Sequence, residues 1–196
     1  MIESKNIIIN KKIIKSTDLT EIKSLTNYFY ESWDLTPGKS EYCLYSYLSR
    51  YFVNTTILDI GTGGGGSSKA FGVNPDNKVI SFDLSLRREI PTSKNVEYRL
   101  GEFIEDKTID YSNVSIIMID VDPHDGIKEP IMIDYLKSIN WSGILLLDDI
   151  KFYRFPVLEK YWNELPYEKY DLSDIGHDSG TGLINFGKKH LIQIEE

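Results

Sequence analysis

Positive charge and cysteine are both scarce in this sequence. Its 30 acidic residues outnumber its 22 Lys and Arg residues, which gives a net charge of −8, and no basic run occurs. Because such a field repels a polyanion, the composition disfavours DNA or RNA as a partner. The single cysteine, Cys43, cannot form an internal disulfide, and its aromatic, helix-like surroundings predict a buried apolar thiol.

Long apolar runs are absent as well. The N-terminal run from Ile7 to Ile9 is too short for a signal sequence, and nothing approaches a membrane span. We therefore expect a cytoplasmic protein with no membrane partner. With 196 residues, of which 41% are hydrophobic and 27% charged, the chain is long enough for one domain with a substantial core.

Strand and helix patterns alternate from residue 56 onwards. Strands are predicted at residues 56–60, 78–83, 95–99, 114–120 and 143–148. The clearest helix runs from Lys128 to Ile139, and a later one is predicted at residues 152–162. Two further strands, 167–172 and 182–186, are joined so tightly that they must be antiparallel. The alternation predicts an α/β fold with a parallel sheet that helices cover on both faces.

The N-terminal quarter has a different character. Residues 1 to about 18 form a polar, lysine-bearing lead, for which we predict a poorly packed extension or an edge strand. Helices are predicted from Asp18 or Thr20 to Trp33 and from Ser40 to about Phe52. Their aromatic stripes are typical of core or lid packing, and both helices are placed to fold over the segment that follows.

That segment, TILDIGTGGGGSS, predicts a strand, a glycine-rich turn and the start of a helix. Glycines let the backbone approach a ligand, and a helix N-terminus favours an anionic group. Gly61, Gly63 and Gly66 satisfy the dinucleotide spacing G-x-G-x-x-G, and Asp83 follows at the distance of a ribose-binding acid. An NAD-dependent oxidoreductase is therefore one hypothesis.

Asp59 favours a different ligand. A carboxylate two positions before Gly61 suits an ammonium group and would repel a pyrophosphate. The pattern Asp59-x-Gly61-x-Gly63-x-Gly65 resembles the signature of class I S-adenosylmethionine-dependent methyltransferases. Five parallel strands that end in an antiparallel hairpin resemble the sheet of the same family. The resemblance spans residues 56–187 and implies a Rossmann-like, seven-stranded methyltransferase sheet with helices on both faces.

The resemblance also implies a division of the chain. Residues 1–196 would form one methyltransferase domain, with an N-terminal extension and lid helices (1–55), a cofactor-binding core (56–150) and a C-terminal helix with the hairpin (151–196). The implied ligands of S-adenosylmethionine are Asp59, Gly61, Thr62, Gly63, Gly65, Asp83, Glu102 and Phe103. Glu102 replaces the Asp that the family commonly has there, and Phe103 is expected either to stack on adenine or to pack in the core.

Acidic residues end four of the predicted strands, so they should converge at one edge of the sheet. They are Asp59, Asp83, Asp120 and Asp148, and Asp149 follows directly. Crowded carboxylates repel one another unless a cation lies among them, and oxygen ligands suit Mg²⁺, Mn²⁺ or Ca²⁺. The pattern resembles metal-dependent O-methyltransferases, which implies Asp120, Asp148 and Asp149 as ligands of Mg²⁺ or Mn²⁺. A solvated acidic rim or a set of helix caps is the alternative.

A general base is expected beside this cluster. His124 is the candidate because imidazole titrates near neutral pH, and Asp122 is the alternative. His177 is predicted either to line the acceptor site or to pack its own turn.

The acceptor follows from a narrower resemblance. The segments 120–126, 147–150 and 176–183 resemble methyltransferase domains of glycan and polysaccharide synthesis in bacteria and large algal viruses. This implies O-methylation of a sugar hydroxyl on a glycan or sugar nucleotide and, for a viral protein, the host cytoplasm. A catechol-type phenol is the alternative acceptor, and a non-catalytic cofactor-binding module is the alternative class. A homodimer is compatible with the sequence.

Overall fold

The computed structural model describes residues 2–19, 38–86, 90, 93–154 and 156–196. The strands of these residues are β1 (Asn6–Asn10), β2 (Thr56–Ile60), β3 (Lys78–Asp83), β4 (Val96–Leu100), β5 (Val114–Ile119), β6 (Gly143–Asp148), β7 (Lys169–Asp171), β8 (Thr181–Phe186) and β9 (Leu191–Glu195). The α-helices are α1 (Lys11–Lys15), α2 (Gly38–Ser49), α3 (Gly66–Phe71), α4 (Lys128–Ser138) and α5 (Pro156–Glu164).

Seven strands form one mixed sheet in the order β4-β3-β2-β5-β6-β8-β7. Strands β2 to β6 are parallel, while β8 is antiparallel to both β6 and β7. The predicted fold, five parallel strands closed by an antiparallel hairpin, is confirmed. Each of these strands begins and ends within two residues of its predicted bounds. The central strands β5 and β6 are the most easily recognised, because buried parallel strands are mostly apolar.

The two faces of the sheet pack against separate hydrophobic cores. Along β2, Ile57 lies in one core with Leu44 and Phe71, while its neighbour Leu58 lies in the other with Leu136. This alternation follows from the two-residue period of a strand. Strands β5 and β6 are buried along their whole length, since helices cover them on both sides.

Helices α2 and α5 depart from their predicted bounds. Helix α2 begins at Gly38 and ends at Ser49, whereas a helix from Ser40 to about Phe52 was predicted. Helix α5 begins at Pro156 rather than at residue 152, because proline suits the first turn of a helix. The helix predicted to end at Trp33 lies outside the described residues beyond Leu19. In the described part of the chain, none of the helices has the length and apolarity that a membrane crossing requires.

The N-terminal lead is well packed: of the two forms predicted for it, the poorly packed extension was wrong, and the edge strand is confirmed by β1, which belongs to a two-stranded sheet. Strand β1 pairs in parallel with β9, which the sequence reading did not identify, and Ile7 and Ile9 are completely buried. The hydroxyl groups of Tyr47 and Tyr51 on and just after α2 both donate hydrogen bonds to the carbonyl oxygen of Ile8, at 2.6 Å. The lead is thereby held against α2.

Candidate functional site

The glycine turn after β2 presses closely against the end of β5. A Cβ atom on Gly61, whose φ is +105°, would lie 1.6 Å from the carbonyl oxygen of Asp120, so only glycine fits. The backbone amide of Asp120 in turn donates to the carbonyl oxygen of Ile60 at 2.8 Å. The turn and the first acid of the predicted metal cluster are therefore direct neighbours.

Asp59 lies beneath this turn with one unsatisfied oxygen. Its side chain is buried, and its Oδ2 accepts a hydrogen bond from Ser81 Oγ at 2.7 Å, whereas Oδ1 has no hydrogen-bond partner among the described residues. Burial raises the pKa of Asp59 to about 6, against the opposing effect of hydrogen bonds from Ser81 and Ser67. A buried acceptor without a donor is costly, so the site fits a ligand that carries an ammonium group.

Asp83 and Glu102 line a cavity of about 220 Å³ beside the turn, together with Gly61 and Gly101. One oxygen of Asp83 accepts from the backbone amide of Gly63 at 3.0 Å, which ties the end of β3 to the turn. Thr62 is buried and its Oγ1 lies 2.7 Å from Ser81 Oγ, so it supports the turn from below. Gly65, with a φ of +80°, precedes the first residue of α3.

Phe103 does not line this cavity. Its side chain is completely buried, and its ring makes edge-to-face contacts with Phe82 and Tyr135. Of the two roles expected for Phe103, the structure favours core packing over stacking on a bound base, because both of its neighbours are aromatic side chains of the same hydrophobic core.

The acids after β5 and β6 meet around two histidines. Asp149 Oδ2 lies 3.0 Å from His124 Nδ1, and Asp120 Oδ1 lies 3.8 Å from the same nitrogen. The Nε2 atom of His124 lies 3.3 Å from Asp122 Oδ1. On its other side, Asp149 contacts Ser179 Oγ and lies 3.5 Å from His177 Nδ1. Asp149 is thus the shared centre of the cluster.

Two sets of side chains in this cluster have the spacing of metal ligands. Asp120, His124 and Asp149 form one set, and Asp148, Asp149 and His177 form the other, with ligand atoms within 4.8 Å of one another in each. Each set therefore combines two of the three predicted ligands with a histidine, and Asp149 belongs to both sets. The sequence reading did not assign a ligand role to His177, because nothing local links a hairpin loop to Asp149.

The carboxylates of this cluster repel one another. Desolvation, and then the charges of Glu41 and other acids, raise the pKa values of Asp120 and Asp148 well above their usual range. Burial opposes ionisation of Asp149 too, yet hydrogen bonds from His177 and Ser179 lower its pKa overall. A divalent cation would let all three aspartates ionise together.

Glu41 is a site residue that the sequence reading missed. Helix α2 places it in a buried position, where its Oε1 accepts a hydrogen bond from Tyr45 at 2.5 Å. Burial raises the pKa of Glu41, and its charge in turn raises those of Asp59 and Asp148. The helix also contacts the glycine turn, since a Cβ atom on Gly66 would lie 2.5 Å from the Tyr42 hydroxyl. A Glu four residues before Tyr45 on the apolar face was the available signal.

A larger cavity of about 550 Å³ opens next to the acidic cluster. It is lined by Asp122, Pro123, His124, Asp149, Lys151, Phe152, Tyr153, Arg154, His177, Asp178 and Ser179. His177 lines this cavity, and its ring also contacts Ser179 within its own turn, so the structure is compatible with both roles expected for His177. The segment 151–154 was missed because it was predicted to be helical from residue 152, whereas it forms a loop before α5.

Solved structures of other proteins share the fold of this chain. No family model matches the sequence, and no curated protein matches it either. Among solved structures, that of the methyltransferase PaMTH1 from Podospora anserina, bound to S-adenosylhomocysteine, is 14% identical, with a TM-score of 0.61 over 89% of this chain and 92% of that one.

Two other structures give similar agreement. A Staphylococcus aureus protein provisionally described as a caffeoyl-CoA O-methyltransferase is 16% identical, with a TM-score of 0.57 over 88% of this chain and 94% of that one. MycE, a methyltransferase of mycinamycin biosynthesis seen with Mg, S-adenosylhomocysteine and mycinamycin VI, is 13% identical, with a TM-score of 0.54 over 87% of this chain and 54% of that one. The chain therefore has the fold of the class I S-adenosylmethionine-dependent methyltransferases.

Proposed function

We propose that this protein is an S-adenosylmethionine-dependent O-methyltransferase, assisted by a divalent cation, that acts on a sugar hydroxyl of a glycan or sugar nucleotide. The observation that carries the proposal is the contact between the glycine turn and the acidic cluster, where Gly61 abuts Asp120. The cavity of about 220 Å³ beside the turn shares Asp122 with the cavity of about 550 Å³ that histidine and aspartate line, so the two adjoin. A group-transfer enzyme requires such an adjoining pair.

The methyl donor, whose sulfonium supplies an electrophilic methyl group, would bind across the glycine turn and the first cavity. Asp59 would bind its ammonium group through the oxygen that lacks a partner, and Asp83 and Glu102 would contact its ribose and adenine. Gly61, Gly63 and Gly65 leave the turn open to it. Two of the structures with the same fold, PaMTH1 and MycE, contain S-adenosylhomocysteine.

The cation site would be formed by Asp120, Asp148 and Asp149, with His177 completing it, because His124 is assigned to proton transfer. Carboxylates suit Mg²⁺ and Mn²⁺, and an added imidazole favours Mn²⁺ over Mg²⁺. The chemistry that a divalent cation would supply at this site is Lewis-acid activation, which lowers the pKa of a hydroxyl group on an acceptor with two neighbouring oxygens.

His124 would remove the proton of the acceptor hydroxyl. Asp149 holds the ring through Nδ1 at 3.0 Å, which leaves Nε2 to accept the proton. The nearly fully exposed Asp122, 3.3 Å from Nε2, would stabilise the resulting imidazolium. The chain itself thus supplies the orientation and the acceptor of the proton.

A catechol-type phenol remains the second candidate acceptor, because it presents the same two adjacent oxygens. Phe152 and Tyr153 line the cavity and would pack against the flat face of either a sugar or a phenol. Since α2 contributes Glu41 to the site, we also propose that residues 1–196 act as one catalytic domain.

The test is transfer of a labelled methyl group from S-adenosylmethionine to a panel of sugars, sugar nucleotides and catechols. We expect activity that EDTA abolishes, that Mn²⁺ or Mg²⁺ restores, and that Asp149→Asn removes. The exposed Asp134, on α4, provides the matched control Asp134→Asn, which should retain full activity. Full activity in metal-free buffer would contradict the role of the cation, and binding of NAD without S-adenosylmethionine would contradict the proposal as a whole.

A further inference from the structure

The larger cavity changes in chemical character from its base to its mouth. At the base, the Asp149 side chain is only 9% exposed and lies between His124 and His177. At the mouth, Lys151 is 46% exposed and Tyr153 is 78% exposed, with Arg154 beside them. Lys151, Tyr153 and Arg154 are called the outer rim below. An acceptor that reaches Asp149 would have its more distant part against this rim.

Arg154 contacts an aromatic neighbour. Its Nε donates a hydrogen bond to the Tyr153 hydroxyl at 3.0 Å, and its guanidinium carbon lies 5.6 Å from the centre of the Tyr153 ring. This contact uses one of the five N–H groups of the guanidinium, and the terminal nitrogens keep the planar fork that binds two oxygens of one anion.

Arg154 also differs from the other charged groups of the cavity. Lys151 pairs with Asp171 at 2.5 Å, and the exposed carboxylates of Asp122 and Asp178 lie 3.3 and 3.7 Å from histidine nitrogens. No carboxylate of the described residues forms an ion pair with Arg154. In a chain with a net charge of −8, an arginine without an acidic partner at the mouth of a cavity is available for an external anion.

We propose that the outer rim binds the phosphate of the acceptor, with Arg154 as the phosphate ligand and Tyr153 as its support. Guanidinium groups bind phosphate through two parallel hydrogen bonds, and the exposed Tyr153 ring offers a flat surface for a sugar or base attached to that phosphate. This inference rests on the proposed function, and it selects a sugar phosphate or sugar nucleotide over a neutral glycan as the acceptor.

The test is calorimetric binding to the full chain with S-adenosylhomocysteine and Mn²⁺ present. The probes are uridine diphosphate glucose, glucose 1-phosphate, methyl glucoside and glucuronate. We expect the two phosphorylated probes to bind wild-type protein at least about tenfold more tightly than the other two. Arg154→Gln should weaken the phosphorylated probes by about ten- to a hundredfold and leave methyl glucoside unchanged, as expected for loss of a charged hydrogen bond.

Two further variants complete the design. Arg154→Lys, which keeps the charge but loses the fork, should recover part of the affinity. Arg50→Gln, at an exposed arginine that does not line the cavity, should bind all probes as the wild type does. Because Arg154 is exposed, circular dichroism should show an unchanged fold for its variants.

Equal affinity for phosphorylated and neutral probes, no binding of either phosphorylated probe, or equal losses for both kinds in Arg154→Gln would overturn the proposal. Tighter binding of glucuronate than of the phosphorylated probes would also overturn the proposal, since the outer rim would then prefer a carboxylate to a phosphate. Methyl transfer is measured separately. Phosphate-selective binding without transfer would refute the proposed function alone, and transfer to neutral sugars without phosphate selectivity would refute the outer rim alone.

Discussion

Replacing Asp59 by Asn should stabilise the ligand-free protein while weakening its binding of the methyl donor. The carboxyl group is buried, and its pKa rises from 3.8 to about 6. A carboxyl whose pKa is raised on folding binds its proton more tightly in the folded state. The ligand-free protein therefore gains stability as the pH falls from about 6 towards 4, and the full cost of the buried charge is present above pH 6.

The size of the effect follows from the same shift. A rise of about two pKa units corresponds to about 3 kcal/mol at a pH where Asp59 is ionised in both states. In the Asn variant, the amide oxygen still accepts the hydrogen bond from Ser81, and the NH₂ group replaces an oxygen that has no partner either. Because an unsatisfied donor costs about 1–3 kcal/mol at either pH, we expect a net stabilisation of about 0–2 kcal/mol at alkaline pH and a value about 2–3 kcal/mol less favourable near about pH 4, where the wild-type carboxyl is protonated in the folded state.

Urea unfolding of the wild type and of Asp59→Asn, at about pH 8 and about pH 4, measures this difference, with Asp134→Asn as the exposed control. Titration with S-adenosylmethionine should show at least about tenfold weaker binding to Asp59→Asn, because an amide cannot neutralise an ammonium group. A variant less stable than the wild type at about pH 8, or shifted equally at both pH values, would refute the reasoning.

Three other outcomes are expected. Glu41→Gln removes a buried carboxylate whose charge acts on Asp120 and Asp148. The affinity for Mn²⁺, measured by calorimetry, should therefore fall, by up to about tenfold. An unchanged affinity would exclude Glu41 from the site. Gly61→Ala should prevent folding, because its Cβ atom would lie 1.6 Å from a backbone oxygen. Gly63→Ala has open space around it and should lower the free energy of unfolding, measured by thermal unfolding, by only about 1–2 kcal/mol. Ile9→Ala should cost about 2–5 kcal/mol because Ile9 is fully buried, and the exposed Ile13→Ala should lie within about 0.5 kcal/mol of the wild type; similar values for the two would contradict the packing of β1.

Strand positions and the glycine turn were predictable because they follow local patterns. Thr56–Ile60 and Val114–Ile119 are short, mostly apolar segments rich in β-branched residues, as buried parallel strands require. Right-handed connections then place the acids at or after their carboxyl ends at one edge of the sheet. The positive φ at Gly61 follows from the same sequence signal. From these features the sequence predicted the fold and the neighbourhood of Asp59, Asp120 and Asp149.

The tertiary structure decided which distant groups complete the site. Glu41 reaches the acids only because α2 packs against the glycine turn, and His177 reaches Asp149 only because β8 lies beside β6. The pairing of β1 with β9 likewise joins residues about 185 positions apart. Sequence periodicity reports which face of an element is apolar, whereas the element that covers this face depends on the packing of the whole chain. The sequence alone therefore determined the fold and the acidic edge, and tertiary packing decided which ligands and which cavity walls surround it.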